Sequence, residues 1–159
     1  MILAPSSLLA GLAVLPVLVL SAPTAVAGSK HTVYLSTCTT TDCLLPILCE
    51  EDSFRAAVYF ANGPIAEGST RISTPTSVGT TTGNWEGAKR SARLGTAGTF
   101  SVNLPTTAKT AAKGSIAGEG TLGDEPFVCF KDGATDYKIR YSDERYNCKV
   151  DYYCPSYEV

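Results

Sequence analysis

The sequence predicts an all-β fold: a single-domain antiparallel β-sandwich or β-barrel stapled by disulfides. Three observations lead there. Apolar and polar residues alternate with a period of two in five short runs. Turn-forming clusters of Gly, Asn, Asp and Pro separate those runs. All six cysteines lie after an apolar N-terminal leader, the pattern of an oxidised, exported chain. Of the 159 residues, roughly 130 remain once the leader is removed, enough for one ordinary domain with one core.

Residues 1–27 read as a signal peptide. Leu8 to Leu20 is almost wholly apolar, and Ala25-Val26-Ala27 fits the small-residue cleavage pattern, which places the cut after Ala27. Ahead of this run only the α-amino group of Met1 is positive. A membrane anchor over Ile2 to Ala27 competes with this reading, but Pro16, Pro23 and the short apolar heart disfavour it. No later stretch reaches the roughly 18 apolar residues of a spanning helix, so residues 28–159 are expected to be a secreted, extracellular domain without a membrane span.

The first strand is predicted over Thr32 to Cys38, where Val33 and Leu35 alternate with Thr32, Tyr34 and Ser36. His31 stands just before it, near the predicted mature end, and reads as a solvated tail residue. Phe54 to Phe60 alternates strictly and reads as a strand, although Ser53 could cap a helix. Ser69 to Gly83, rich in Ser, Thr and Gly, is expected to be a surface loop or polar edge hairpin. Phe100, Val102 and Leu104 mark another strand, and the alanine-rich Thr106 to Lys113 is too short for an unsupported helix. Gly118-Glu119-Gly120-Thr121-Leu122-Gly123 matches a dinucleotide-binding string. Without a βαβ setting it reads as a glycine-rich strand or turn. Tyr137, Ile139 and Tyr141 alternate with Lys138 and Arg140, and Tyr146, Cys148 and Val150 follow in the same rhythm.

The cysteines form an N-terminal trio, Cys38, Cys43 and Cys49, and a C-terminal trio, Cys129, Cys148 and Cys154. Fifteen pairings are possible, but because each trio is odd, full pairing requires a bridge between them. It would close a loop of about 80 to 115 residues, worth about 4 to 5 kcal/mol by chain entropy, and make the two ends of the domain neighbours. Structural zinc is disfavoured, since no C-x-x-C spacing occurs and the single histidine is far in sequence from the C-terminal trio. No metal or other cofactor is expected.

That single histidine also argues against catalytic triads and Cys-His chemistry. Paired carboxylates need no histidine. Candidates are Glu50, Glu51, Asp52, Glu86, Glu119, Asp124 and Glu125, and Glu86 draws notice because the indole of Trp85 beside it can stack on a sugar ring. No catalytic constellation emerges. The net charge is -2 and the pI about 5.4. Nucleic acid is not an expected partner, because no stretch concentrates the positive charge that a phosphate backbone rewards. Tyr152, Tyr153 and Tyr157, around Cys154-Pro155, are expected to face the surface and, with Trp85 and Glu86, form the candidate binding surface.

Several segments together carry a resemblance. Thr32-Val33-Tyr34-Leu35 leads into Cys38, and Ala57-Val58-Tyr59-Phe60-Ala61-Asn62-Gly63 and Trp85-Glu86-Gly87 follow. Later come Phe127-Val128-Cys129-Phe130-Lys131-Asp132-Gly133 and the ending Asp151-Tyr152-Tyr153-Cys154-Pro155-Ser156. With the leader, they resemble small secreted cysteine-rich proteins of filamentous fungi, and among these the hypersensitive-response-inducing elicitors. The resemblance implies a compact β fold released into the plant apoplast, where a cell-surface or apoplastic protein senses it and defence or localised cell death follows. None of these strings is a catalytic signature. A shorter likeness, confined to Phe127-Val128-Cys129, is to the major-allergen β-barrel family of such fungi, whose cysteine spacing differs. The alternative function is a carbohydrate-binding module or small glycoside hydrolase acting on cell-wall glycans through Trp85 and Glu86.

Overall fold

The computed structural model describes residues 29–40, 53–65 and 73–157. The predicted leader, Cys43, Cys49, the acidic run Glu50 to Asp52 and residues 69–72 lie outside the described residues. Nine strands follow in order: β1 (Thr32–Thr40), β2 (Ser53–Phe60), β3 (Ser77–Thr81), β4 (Arg90–Arg93), β5 (Thr99–Asn103), β6 (Ile116–Leu122), β7 (Glu125–Lys131), β8 (Asp136–Tyr141) and β9 (Glu144–Pro155). The predicted strands are all present. The glycine-rich string runs along β6 and into the turn at Gly123, and the Ser/Thr/Gly stretch supplies the edge strand β3. Thr106–Thr110 makes only one 3-10 turn.

Every strand pair is antiparallel, in the order β3-β2-β1-β9-β7-β6-β5-β4, with β8 added on β9. Twist curls this sheet until its edges β3 and β4 meet, giving a nearly closed barrel. The seam depends on a missing side chain. A Cβ on Gly79 of β3 would lie 2.4 Å from the carbonyl oxygen of Arg93 on β4. Gly79→Val is therefore expected to cost about 1–3 kcal/mol by forcing the seam apart. A denaturation midpoint equal to that of the parent would contradict this close approach.

Where the sequence suggests one core, the structure has two, because β1 and β2 are apolar on both faces. Val33, Leu35, Ala57 and Tyr59 point into the barrel, with Trp85, Phe100, Val102, Leu104, Phe127 and Tyr152. Tyr34, Cys38, Ala56, Val58 and Phe60 point the other way, into a second cluster closed by Tyr137, Ile139, Tyr146, Cys148 and Val150 of the β8–β9 hairpin. The hairpin is tied back where the Ser73 N–H donates to the Lys138 carbonyl at 2.8 Å. Inside the second core the Ser36 and Tyr137 hydroxyls hydrogen-bond at 2.9 Å. Burial pushes the Tyr137 phenol well above its usual range.

A one-residue bulge lets β9 serve both cores. Leu35 of β1 faces Tyr152 whereas Ser36 faces Val150, so Asp151 is the extra residue. Side chains alternate with period two, so this insertion reverses the facing of everything beyond it. Tyr146, Cys148 and Val150 face the second core, while Tyr152 and Cys154 enter the barrel.

Each core holds one disulfide. Cys38–Cys148 joins register partners on β1 and β9 in the second core, across a sequence separation of 110. Cys129–Cys154 joins β7 to β9 in the barrel. The expected bridge between the trios is thus present, and the ends of the domain are neighbours. The Ser156 N–H donates to the His31 carbonyl at 2.9 Å, and Ser29 Oγ donates to the Ser156 carbonyl at 3.0 Å.

Candidate functional site

The five side chains predicted as one binding surface do not meet at the surface. Trp85, in the connection from β3 to β4, is 2 % exposed and fills the barrel core, so its indole is no platform for a sugar. It is the largest fully buried side chain among the described residues, and its Nε1–H finds no acceptor among them. Glu86 is held by a bridge to Leu104, and its Oε1 accepts a hydrogen bond from the Tyr152 hydroxyl at 2.5 Å. The Lys131 ammonium lies 4.4 Å from the centroid of the Tyr152 ring. Burial, then the Glu86 hydrogen bond, raises the Tyr152 phenol far above its usual range, so it remains a donor.

Tyr152 and Tyr153 are also buried, at 0 % and 7 %, against the expectation that they face solvent. The bulge at Asp151 is the cause, turning Tyr152 into the barrel and Tyr153 into the second core, where it stacks on Phe130 at 5.2 Å. Tyr157 alone of the three is open, at 60 %. It flanks a hollow of about 470 Å³ lined by both polar and apolar groups, among them Lys89, Asn103, Glu119 and Pro126.

His31 is not a solvated tail residue. Its Nδ1 lies 2.7 and 2.8 Å from the two carboxylate oxygens of Glu125, which requires Nδ1 to carry a proton. Its ring also meets Tyr59 edge-on at 5.7 Å. Burial and the Glu125 charge raise the Tyr59 phenol. The pair clasps the start of β1 to the start of β7, and nothing local in the sequence announces a partner so far along the chain.

The candidate carboxylates that the structure describes are dispersed. Glu86 is engaged with Tyr152, Glu125 with His31, and Glu119 lines the hollow beside Tyr157. Two acids the sequence did not single out, Asp136 and Asp151, line a single cleft of about 840 Å³ with Thr37, Thr39, Lys138, Asn147 and Lys149. The cleft forms where β1 and β9 run on beyond the barrel and their barrel-side faces turn polar. Register sets its walls in rows across four strands. Arg55, Thr37, Lys149 and Asp136 lie side by side, then Thr39, Asn147 and Lys138, then Arg145 and Arg140. Thr37 Oγ1 donates to Asp151 Oδ2 at 2.8 Å while accepting from Arg55 Nη1 at 3.3 Å. Arg55 Nη2 reaches Asn84 Oδ1 at 2.8 Å and completes a hydrogen-bonded wall.

The legible signal for this cleft is the outward phase of the alternation: positions 136, 138 and 140, and 145, 147 and 149, are exposed while their neighbours 137, 139, 146 and 148 are buried. Positive charge that no sequence run concentrates is gathered here by strand pairing. Among the described residues, no helix is long and apolar enough to cross a membrane, and no group of three or more His, Cys, Asp or Glu side chains is placed to hold a metal ion.

Fold and site together define a class: an antiparallel β-barrel with two disulfide-linked cores and a charged cleft on its flank. Comparison with profiles of known families, with curated proteins and with solved structures finds no match.

Proposed function

We propose that this protein is a secreted effector or elicitor, perceived by plant cells through its surface. The pair of bridges carries this reading. Cys38–Cys148 and Cys129–Cys154 fasten the last strand to β1 and to β7, one in each core. Such bridges persist in oxidising surroundings and are rare in the cytosol. The elicitor resemblance of the sequence supplies the plant-facing role. The rival reading, a glycan-active protein built on Trp85 and Glu86, loses its stacking platform because the indole is inside the barrel. Infiltration of the purified, oxidised mature protein into leaves is expected to raise defence markers or localised cell death, and the reduced, unfolded protein is expected to be inert. Silence of the oxidised protein across a range of hosts would refute the proposal.

A further inference from the structure

The flank cleft has the chemistry of a ligand site. Its lining offers two ammonium groups, Lys138 and Lys149, two carboxylates, Asp136 and Asp151, two hydroxyls, Thr37 and Thr39, and the amide of Asn147. Lys138, Lys149, Asp136 and Asn147 are exposed, and Thr37 and Thr39 partly so. At about 840 Å³ the cleft falls within the size range of small-ligand sites. Beyond it, Arg140 and Arg145 extend the row of cations along the same face of the hairpin, and Arg55 lies at the other side.

We propose that this cleft binds a carboxylated sugar chain, an oligosaccharide of uronic acid residues; the proposal deepens the recognition reading above and rests on it for its extracellular setting. Each unit of such a chain carries one carboxylate and several hydroxyls. The carboxylates meet Lys138 and Lys149, where charge-assisted hydrogen bonds are strongest. The sugar hydroxyls donate to Asp136, Asp151 and the Asn147 amide oxygen and accept from the Asn147 amide N–H, while the Thr37 and Thr39 hydroxyls, whose protons go to Asp151 Oδ2 and the Asn147 carbonyl, offer acceptor oxygens. A neutral sugar would leave both lysines without an anion. A phosphate backbone, which has no donors, would meet two carboxylates of its own sign. Cations alternating with hydroxyl and carboxylate groups therefore match one ligand chemistry better than either alternative.

Calorimetric titration of the full mature protein tests this with three probes: a galacturonate oligomer, a neutral galactose oligomer of equal length, and a single-stranded oligonucleotide of equal charge. The uronate is expected to bind, and to weaken as salt is added. Lys138→Gln combined with Lys149→Gln removes both charges while keeping a polar head on a shorter stem. It should weaken uronate binding by about a hundredfold, tenfold for each charge-assisted hydrogen bond removed, with the thermal midpoint unchanged. Absence of uronate binding, equal binding of the neutral oligomer, tighter binding of the oligonucleotide, or an unaffected double variant would each overturn the assignment. Protein that provokes leaves but ignores the uronate would sink the cleft and spare the elicitor reading; protein that binds the uronate but leaves tissue silent would do the reverse.

Discussion

Cys38→Ala combined with Cys148→Ala is expected to lower the unfolding free energy by about 4 to 5 kcal/mol. The bridge spans 110 residues of sequence, so its removal frees nearly the whole described domain to expand when unfolded. Both cysteines are almost fully buried in the second core, so replacing them by alanine also leaves a small void there. Proteins of this size are stable by about 5–15 kcal/mol in all, so the variant should be only marginally stable at about 25 °C. The Cys129–Cys154 bridge spans only 25 residues, and its loss should cost about 3 to 4 kcal/mol. Urea titration of both double variants checks the magnitudes and the order. A loss under about 1 kcal/mol for the longer bridge would mean that the unfolded chain is already held compact.

Trp85→Ala should be nearly as damaging, at about 3–5 kcal/mol, because it empties the largest buried site in the barrel. Trp85→Phe is expected to be far milder. It removes an indole N–H that has no acceptor among the described residues, and an unsatisfied buried donor costs about 1–3 kcal/mol, which offsets much of the packing forfeited with the smaller ring. Thermal melts of the two variants separate these outcomes, and a Trp85→Phe variant as unstable as Trp85→Ala would contradict them. Loss of any binding activity in Trp85→Ala would accordingly report a collapsed barrel rather than an absent ligand-binding group. Replacing Tyr152 and Tyr153 together carries the same ambiguity, whereas Lys138 and Lys149 can be changed without touching either core.

The strands were legible because their alternation is local: β1, β2, β8 and the first half of β9 can be marked from a few residues each. The alternation suggests one buried face per strand and so a single core, whereas Tyr34, Val58 and Phe60 are buried opposite Val33, Ala57 and Tyr59, because apolar residues on both faces of a strand need two places to bury them. What else escaped was non-local. The bulge at Asp151 exists only in relation to Leu35 and Ser36, more than a hundred residues away, so the local sequence around Tyr152 and Tyr153 points to the surface while the paired strands bury them. His31 looked idle because Glu125 is 94 positions distant. The cleft required lateral neighbours: Lys149 comes between Thr37 and Asp136 only after β1, β9 and β8 have paired.

The strand that switches faces at Asp151 acts as a party wall between two rooms, with β1 and β2 completing the partition. Neither room can be vacated alone, because stripping one leaves the partition wetted on the side it was built to keep dry. The described strands therefore form a unit without a detachable half.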